Sequence, residues 1–599
     1  MCGIVGYVGS RAAEELLLAG LAKLEYRGYD SAGISVMADG AIEAVRAVGN
    51  LAQLQTAVEA RQAAGGATAT LVESATIGIG HTRWATHGRV NEQNAHPHFD
   101  TSDHVHVVVN GIVENYMELR DRLMAGGASF TSETDAEVIA HLVATNFDGD
   151  LEQAVRDAYA ELEGHFAFVA MAVGSPELLV GARKECPLII GVGEGEMFLA
   201  SAVPAFLAQT RRVQYVENGE IVAVRPTGAS FSSADGAPIA RDVVTVDWDE
   251  ETAEKGGFET FMLKEIYEQA DAIAETIADR TVREDGVDLD DVGALADEQL
   301  RSAKRIIVVA CGTSYHAGLI GRYAIEELAR VPVDVEIASE YRYRNPIVGP
   351  GDLVIGITQS GETADTLAAM RLAKERGATV MAITNIMGSQ ATRDADGVLY
   401  TRAGLEVSVA ATKTFVCQVA VMYLLALRLA ELHDSLALER RTELVAELKQ
   451  IPSLISELLE AVDPVVNAVA DEGALKLKEV SYISTDAYAA GEMKHGPIAL
   501  LSEQTPVVTV ATDSPVLDKV ISNMQEVRAR GAYLIAVASA GNETIDQQAD
   551  SVISIPHTDW ILQPLLAVIP LQLLAYRIAR LRGLNVDQPR NLAKTVTVE

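Results

Sequence analysis

The pattern of apolar residues changes near residue 250, and this change limits the folds open to the chain. Up to about residue 240, short apolar runs typical of β-strands outnumber helical patterns; examples are Gly3–Gly9, Val105–Val109 and Phe166–Val173. Beyond Phe258, helical patterns dominate and alternate with short apolar strands such as Arg305–Ala310. The first pattern predicts a layered α+β sandwich, and the second predicts parallel sheets with helices on both faces.

A weak internal repeat divides the second half of the chain. Residues 371–383 and 523–537 share a helical pattern, a glycine turn and a buried strand, which predicts two related α/β lobes. A polar stretch that ends at Gly257 separates this half from the first. The expected segments are a first domain at 1–240, a linker at 241–257, lobes at 258–440 and 441–585, and a C-terminal tail without regular structure at 586–599.

The balance of charge narrows the classes of partner. The 599 residues include 84 acidic and 48 basic side chains, which gives a formal net charge of −36. Such a balance argues against nucleic acid and anionic membranes as general partners. Backbone amides and a few placed cations must therefore hold any anionic substrate. Salt adaptation of the host and a merely acidic protein are both open as explanations of the excess.

Cysteine usage and apolar stretches indicate a cytoplasmic location. The four cysteines are scattered without a Cys-x-x-Cys pair, which fits a reducing compartment. No pattern of a signal peptide follows Met1. The two longest apolar stretches, Phe415–Leu427 and Trp560–Tyr576, are interrupted by glutamine or proline. We expect both to form buried helices rather than membrane spans.

The second residue of the chain is a cysteine. Removal of Met1 would leave Cys2 with an α-amine and a thiol on one residue. Because an α-amine titrates near pH ~8, it can serve as a base for the thiol in nucleophilic catalysis. The alternative is that Cys2 is a small apolar residue at the start of a buried strand.

The first domain contains five clusters of polar residues, at 26–33, 81–88, 94–98, 110–111 and 132–135. Asn110-Gly111 follows an apolar strand and predicts either a tight turn or a pair of donors to an oxyanion. The cluster at 132–135 is expected to open a helix, and the ordinary explanation of Asp135 is a place in its first turn, where an acidic residue is favoured. Four further histidines, His96, His98, His104 and His106, lack a cysteine or acidic partner at characteristic spacing, so we expect no metal site.

Together with Cys2, these clusters resemble the class II glutamine amidotransferase domain, which has the N-terminal nucleophile hydrolase fold, an αββα sandwich. The resemblance covers the first 240 residues and includes the run His-Thr-Arg-Trp-Ala-Thr-His-Gly at 81–88. It implies that Cys2 attacks the glutamine side-chain amide while Asn110 and Gly111 bind the oxyanion. The other implied roles are Arg83 for the α-carboxylate, Asp135 for the α-ammonium, Thr86 and His87 for the pocket, Trp84 as an ammonia gate, and Arg27 in a structural segment.

Two polar turns follow strands of the first α/β lobe. Cys311-Gly-Thr-Ser follows the strand Arg305–Ala310, and Gln359-Ser-Gly-Glu-Thr follows Leu353–Thr358. Ligands bind outside the carboxyl ends of parallel strands, where hydroxyls and amides at helix N-termini form a phosphate cradle. The alternative interpretation is two ordinary helix N-caps. Neither turn is a P-loop.

These turns resemble those of sugar isomerase (SIS) domains. With the amidotransferase half in front, nearly the whole chain resembles the isomerising glutamine–fructose-6-phosphate aminotransferase family. The resemblance implies L-glutamine and fructose 6-phosphate as substrates, glucosamine 6-phosphate as product, and no cofactor. Sugar-phosphate binding is implied for Thr313, Ser314, Thr358, Gln359, Ser360, Thr363 and Lys476.

The same resemblance assigns three catalytic residues to the sugar reaction. Lys594 forms a Schiff base with the ketone, and Glu479 moves a proton between two carbons. His495 opens the sugar ring and comes from a neighbouring subunit, so a homodimer is expected. Without the resemblance, each of the three has an ordinary structural explanation: a tail lysine, a surface ion pair with Lys476, and a histidine in a Gly-Pro turn.

Two departures from the family pattern bear on the isomerase. Ala411 stands where the family usually has a serine. Residues 461–473 read as helix where the family has a strand and a glycine turn, so the second lobe is expected to lack its first strand and to expose a sheet edge. An alternative function is therefore a glutaminase fused to a sugar-phosphate sensor with impaired isomerase activity. Amidotransferases with phosphoribosyl pyrophosphate or aspartate as acceptor are disfavoured because their acceptor domains do not use these turns.

Overall fold

A computed structural model of the chain describes residues 2–25, 28, 30–64, 75–83, 85, 87–184, 186–246, 255, 257–289, 295, 297–472, 478–482, 485–503, 505–590, 592, 594 and 595. For residues 467–472, 478 and 479 it describes the backbone alone. Contacts divide the chain into two units, Met1–Thr252 with Ala593–Glu599, and Ala253–Leu592.

The N-terminal unit contains fifteen strands and five α-helices among its described residues. Its strands are β1 (Gly3–Val8), β2 (Ser31–Ala38), β3 (Ala41–Val48), β4 (Ile77–Arg83), β5 (His98–Phe99), β6 (Val105–Val113), β7 (Gly164–Ala172), β8 (Leu179–Lys184), β9 (Ile189–Val192), β10 (Met197–Ala200), β11 (Arg212–Tyr215), β12 (Glu220–Arg225), β13 (Gly228–Ser233), β14 (Pro238–Ile239) and β15 (Val244–Thr245). Its helices are α1 (Ala13–Leu24), α2 (Leu51–Ala64), α3 (Tyr116–Ala125), α4 (Glu137–Asn146) and α5 (Leu151–Glu161).

These elements form four layers. One antiparallel sheet has the order β15-β11-β9-β10-β1-β4-β2-β3, and the other has the order β14-β13-β12-β8-β7-β6-β5. Helices α1 and α2 pack on the outer face of the first sheet, and α3, α4 and α5 pack on the outer face of the second. A third apolar cluster fills the space between the sheets. This is the αββα sandwich expected from the sequence.

Strand β1 shows why a central strand of this sandwich is apolar on both faces. Val5 and Tyr7 pack towards the helices, whereas Ile4 and Val8 pack between the sheets. Because side chains alternate along a strand, burial on both sides requires a continuous apolar run. The first strand was expected at Gly3–Gly9 and ends one residue earlier in the structure.

The C-terminal unit contains eight strands and thirteen α-helices among its described residues. Its strands are β16 (Arg305–Ala310), β17 (Val333–Ile337), β18 (Asp352–Ile357), β19 (Thr379–Thr384), β20 (Gly397–Tyr400), β21 (Pro506–Ala511), β22 (Tyr533–Ser539) and β23 (Ser551–Ile555). Its helices are α6 (Phe261–Tyr267), α7 (Gln269–Ile277), α8 (Asp297–Ser302), α9 (Gly312–Leu328), α10 (Ala338–Tyr343), α11 (Ala364–Glu375), α12 (Gln390–Asp394), α13 (Lys413–Leu432), α14 (Leu438–Glu472), α15 (Lys478–Ser481), α16 (Leu517–Arg528), α17 (Glu543–Gln548) and α18 (Gln563–Leu581).

The first lobe is a five-stranded parallel sheet with the order β17-β16-β18-β19-β20. Strands β16 and β18 are neighbours, and Ala310 at the end of one pairs with Ile357 at the end of the other. The two polar turns that follow these strands therefore lie side by side at the carboxyl edge of the sheet. This edge is where ligands bind in parallel α/β sheets.

The internal repeat is confirmed in the structure. Helix α11 leads to β19, and α16 leads to β22. Gly377 and Gly531 lie in the two connecting turns with φ of +86° and +81°. Glycine is favoured at both turns because a side chain disfavours this left-handed backbone conformation.

The second lobe has a reduced sheet. Its described strands pair in the order β21-β22-β23, which corresponds to the β18-β19-β20 half of the first lobe. Helix α14 runs without interruption to Glu472, through the stretch where a strand equivalent to β16 would begin. Residues 485–489 lie in no strand, in the place along the chain that β17 holds in the first lobe. In the first lobe β17 pairs with β16 alone. Among the described residues of the second lobe, no strand takes the place of β16, so an outer strand there would have no partner.

Helices α13 and α18 contain most of the two long apolar stretches. Both are long and apolar enough to cross a membrane, which is weak evidence by itself. In the structure they pack together with α14 in the largest apolar cluster of the C-terminal unit. Their apolar character is accounted for by this burial, as the interrupting polar residues indicated.

Candidate active sites

The candidate glutaminase site begins at Cys2, the residue before β1. Cys2 is half-buried, and its backbone oxygen accepts a hydrogen bond of 3.2 Å from Nδ2 of Asn110. Asn110 lies on β6 in the other sheet of the sandwich and is buried. Two residues 108 positions apart are thus brought together, as the sequence resemblance implied for nucleophile and oxyanion donor.

Backbone geometry explains why a glycine follows Asn110. Gly111 has φ of +103°, a conformation that residues with side chains rarely adopt. A Cβ atom at this position would lie 2.0 Å from the backbone oxygen of His165. Gly111 continues strand β6 rather than forming the tight turn that was the alternative. Glycine at this position lets β6 lie close to β7 while Asn110 stays beside Cys2.

Arg83 is positioned at the end of β4 and is buried. Its guanidinium donates to the carbonyl oxygens of His87, Gly88 and Arg89, with distances of 3.3 Å to Gly88 and 3.4 Å to Arg89. Burial lowers the pKa of Arg83, while the nearby groups of Cys2, Asp30 and Asp135 act in the opposite direction. In this structure the guanidinium orders the loop that follows β4.

Asp135 lies two residues before α4, which begins at Glu137, and so outside the first turn that was the alternative to a binding role. Its Oδ2 accepts a hydrogen bond of 2.8 Å from the amide of Val113, and its Oδ1 is 3.6 Å from Nδ1 of His87. Burial raises the pKa of Asp135, and the Val113 amide opposes that shift. A buried carboxylate is stabilised by an opposite charge, and the α-ammonium group of bound glutamine would supply that charge. The position of Asp135 is therefore compatible with the ammonium-binding role implied for it.

One residue that helps to hold this site together is Asp30, to which the sequence assigned no individual role. Oδ2 of Asp30 accepts a hydrogen bond of 2.9 Å from the amide of Ala85 and so anchors the loop after β4. Asp30 belongs to the polar cluster at 26–33, which marked the region but gave no partner. Arg27, Trp84, Thr86 and Lys476 lie outside the described residues.

The candidate sugar-phosphate site is formed by the two turns at the carboxyl edge of the first lobe. Thr358 Oγ1 and Thr363 Oγ1 are 2.8 Å apart, and the Gly361 amide donates to Thr358 Oγ1 over 3.3 Å. The Glu362 amide donates to Ser360 Oγ over 3.2 Å. These contacts give the turn a fixed shape, with Thr363 at the N-cap of α11.

The neighbouring turn supplies the other expected residues. Cys311 is the N-cap of α9, and its side chain makes no capping hydrogen bond. Thr313 and Ser314 lie in the first turn of this helix, where backbone amides have no intrahelical partner. The N-termini of α9 and α11 thus both lie at this edge, and partial positive charge there favours an anion.

A loop at residues 401–412 borders the carboxyl edge and is held by two buried carboxylates. Glu406 accepts hydrogen bonds from the amides of Thr412 and Thr414, of 2.9 and 3.1 Å. Glu265 accepts from the amides of Val407 and Ser408, of 2.5 and 3.1 Å. Sequence reasoning missed both residues, because each acts on backbone groups that no local pattern reveals.

The three residues expected to act on the sugar differ in how the structure describes them. Glu479 lies on α15, and its backbone alone is described. His495 ends a 3₁₀ helix at Ala490–His495 and is exposed. Lys594 is half-buried and groups with the N-terminal unit.

The start of the C-terminal tail is held in place by contacts within the C-terminal unit. The carboxylate of Asp587 accepts hydrogen bonds of 3.0 and 2.8 Å from the amides of Phe261 and Met262 at the start of α6. The Arg590 guanidinium lies 4.4 Å from the ring centroid of Tyr482, just beyond α15. In the described parts of both units, no group of three or more histidine, cysteine or acidic side chains is arranged to hold a metal ion.

Comparison with known proteins identifies the two halves separately. The family model for the SIS domain matches residues 299–428 and 465–582. The family model for the glutamine amidotransferase domain matches residues 81–208.

Full-length relatives join these halves in one chain. The glutamine–fructose-6-phosphate aminotransferase [isomerizing] of Caldanaerobacter subterraneus subsp. tengcongensis is 45% identical over 619 aligned residues, and that of Symbiobacterium thermophilum is 47% identical over 620. Each alignment covers 100% of both chains. The chain belongs to this family. Membership of the glutamine–fructose-6-phosphate aminotransferase family confirms the expected fold class and the expected enzyme type.

A solved structure agrees with this assignment. The C-terminal domain of glucosamine-fructose-6-phosphate aminotransferase from Francisella tularensis is 38% identical, with a TM-score of 0.53. The match covers 56% of this chain and 100% of that domain. The aminotransferase alignments extend over more positions than the 599 residues of this chain, so the relatives have residues that it lacks.

Proposed function

We propose that this protein transfers the amide nitrogen of L-glutamine to fructose 6-phosphate and isomerises the product to glucosamine 6-phosphate. Full-length identity of 45–47% to enzymes named for this reaction carries the proposal. The alternative of a sugar-phosphate sensor gains no support from these relatives. A cytoplasmic location fits a chain whose four cysteines form no disulfide.

The first half-reaction is assigned to the site around Cys2. After removal of Met1, the α-amine takes the proton of the Cys2 thiol, and the thiolate attacks the glutamine amide carbon. Asn110 Nδ2 and the Gly111 amide donate to the oxygen of the tetrahedral intermediate. The α-ammonium returns its proton to the leaving nitrogen, ammonia departs, and the remaining thioester is hydrolysed by water to glutamate. Arg83 and Asp135 bind the two charged groups of the glutamine backbone, and Thr86 and His87 line the pocket.

The second half-reaction is assigned to the first lobe and the tail. Thr313, Ser314, Thr358, Gln359, Ser360, Thr363 and Lys476 bind the sugar phosphate. His495 opens the ring, and Lys594 condenses with the C2 ketone to form an imine with loss of water. Ammonia then displaces the lysine amine from C2, and Glu479 moves a proton between C1 and C2. Ammonia travels inside the protein past Trp84.

A homodimer would supply His495 to the site of a second subunit. Residues 485–503, which carry His495, include no fully buried side chain in the single chain. Two apolar side chains of this segment are exposed, Tyr488 to 47% and Leu500 to 76%. A segment of this composition is expected to be covered by a partner.

Two variants, each expected to remove a different half-reaction, test whether the two half-reactions have separate sites. The C2A variant is expected to lose glutamine-dependent synthesis of glucosamine 6-phosphate but to retain synthesis from ammonia. The K594A variant is expected to lose synthesis from both nitrogen sources but to retain release of glutamate from glutamine. Product is measured by mass spectrometry and glutamate by a coupled assay. Loss of both half-reactions in either variant would contradict two separate sites.

A further inference from the structure

A stack of buried imidazoles lies beside Asn110. The rings of His81 and His96 are 4.0 Å apart and nearly parallel at 19°, and the ring of His98 lies 4.3 Å from that of His96. The three side chains are exposed by 0%, 5% and 1%. The glutaminase chemistry described above uses none of them.

The sandwich architecture explains why this stack contacts β6. Strand β5 pairs with only two residues of β6, His106 and Val107, so the edge of β6 is open beyond them. The backbone oxygen of Val109 binds Nε2 of His81 over 2.9 Å, and its amide donates to Nδ1 of His96 over 3.2 Å. Two histidine side chains thus take the place of a neighbouring strand at Val109.

These contacts fix the position of the proton on His81. Nε2 of His81 also lies 3.2 Å from Oδ1 of Asn110. A backbone carbonyl is always an acceptor, so Nε2 must carry a hydrogen to bind the oxygen of Val109. Burial keeps the ring neutral by lowering the pKa of His81 to about 3. His81 is therefore a permanent donor on this side.

The orientation of the Asn110 amide follows from this donor. If the amide were flipped, its NH₂ group would face the Nε2–H of His81, and two donors would meet. The opposite end of the amide faces the backbone oxygen of Cys2, which requires an NH₂ group there. The donor of His81 and the backbone acceptor of Cys2 thus independently select the same orientation of the Asn110 amide, with Nδ2 towards Cys2.

We propose that His81 is a positioning residue that holds the Asn110 amide with its NH₂ group towards Cys2, where the oxyanion forms. This inference rests on the proposed glutaminase function, because Asn110 is the oxyanion donor there. His81 transfers no proton and touches no substrate. Its effect is to remove the rotational freedom of a donor that must already point at the oxyanion when negative charge develops.

The test compares two substitutions at His81. His81→Leu keeps apolar volume but removes the donor, whereas His81→Gln places an amide NH₂ near the former Nε2. We expect His81→Leu to lower kcat for glutamate release by about 10- to 100-fold. This loss is no larger than that caused by removing an oxyanion donor. KM for glutamine should stay within about threefold of the wild-type value. His81→Gln should recover most of kcat.

Further readouts separate positioning from structural damage. Ammonia-dependent synthesis and the rate of Cys2 alkylation should stay as in the wild type for both variants. The affinity for glutamate γ-semialdehyde, whose thiohemiacetal resembles the tetrahedral intermediate, should fall in His81→Leu by a factor similar to the fall in kcat. His106 offers a matched control, because it is equally buried on β6 but bonds Ser35 over 2.9 Å. His106→Leu should leave semialdehyde affinity unchanged.

The outcomes are distinguishable from failure of the proposed function. If the wild type released no glutamate from glutamine, the proposed function itself would fail. With an active wild type, unchanged kcat in His81→Leu would overturn the positioning role. So would a parallel loss of ammonia-dependent activity and Cys2 alkylation, or an unchanged semialdehyde affinity despite lower kcat.

Discussion

A single backbone dihedral angle restricts the residue type at the proposed oxyanion site. Gly111 combines a positive φ with a neighbouring carbonyl that a Cβ atom would meet at 2.0 Å. Gly195 also has a positive φ, of +71°, but nothing lies within 4 Å of a Cβ placed there. Alanine variants of Gly111 and Gly195 therefore separate the free-energy cost of the backbone conformation from that of the close contact.

We expect Gly195→Ala to lower the free energy of unfolding by about 1–2 kcal/mol, the usual cost of a left-handed conformation for alanine. Gly111→Ala should cost more and should also lower glutamine-dependent activity by about 100-fold or more, because the displaced β6 carries both oxyanion donors. Urea denaturation and glutamate release measure the two effects. Ammonia-dependent synthesis serves as the control, and equal activity of both variants would contradict the role of Gly111.

The site residues differ in how visible they are in the sequence. Cys2, Asn110 and Gly111 could be identified because a terminal nucleophile and an Asn-Gly pair after a strand are local patterns. The action of His81 on Asn110 could not be identified from sequence, because it depends on two strands in different sheets meeting at one point. Asp30 was visible only as part of a polar cluster.

At the scale of elements, strands buried on both faces were the easiest to predict. Strand β16 has the predicted bounds, and β18, predicted at Leu353–Thr358, lies one residue earlier at both ends. By contrast, α2 and β3 were not predicted. Helix α2 buries a narrow face of Leu51, Leu54 and Val58, and β3 has only two buried residues, Ile42 and Val45. Tertiary packing on α1 and β2 determines such elements more than their own pattern does.

The reduced second lobe leaves β21 at the edge of its sheet. In the first lobe, the equivalent strand β18 is paired on both sides, by β16 and β19. Strand β21 pairs with β22 on one side, and its Val510 is 45% exposed. In the described part of this lobe, no strand covers the other side of β21.

We therefore expect the amides of β21 to exchange hydrogen for deuterium at least about tenfold faster than those of β18, because edge amides open without global unfolding. Exchange is followed by mass spectrometry on peptides that cover each strand. Strand β22, which is paired on both sides within the same lobe, is the internal control. Equal protection of β18 and β21 would show that another segment or a second copy covers the edge.

At the scale of the molecule, the strong negative charge and the anionic substrate are reconciled by the way the sugar site is built. The formal net charge is −36, yet the expected ligand is a phosphate. The described turns present hydroxyls and the N-termini of α9 and α11, which bind anions without a formal charge. Lys413, a buried cation near this edge, is already paired with Glu268 over 2.8 Å. Affinity for the phosphate thus depends on local dipoles rather than on the overall field.

The buried imidazole stack gives the N-terminal unit a specific dependence on pH. Burial lowers the pKa of His81 and His98 to about 3, and that of His96 well below its usual range. In the unfolded chain each histidine titrates near pH ~6.5. Below that pH the unfolded state binds protons that the folded state does not, so stability is complete above pH ~6.5 and falls as the pH decreases towards 3. The raised pKa of Asp135 acts in the opposite direction, but it is one group against three.

We expect the free energy of unfolding of this unit to fall by about 4 kcal/mol per pH unit near pH 5, as three histidines take up protons on unfolding. Two buried thiols report the units separately: Cys186 lies in the core between the two N-terminal sheets, and Cys417 lies in the core of the C-terminal unit. Pulse labelling of both after equilibration in urea, at pH 7.5 and 5.5, gives a midpoint for each. The C-terminal unit has four histidines, none of them fully buried, so its midpoint should shift less. An equal shift at both thiols would mean that general acid destabilisation, rather than the imidazole stack, controls the unfolding of the N-terminal unit.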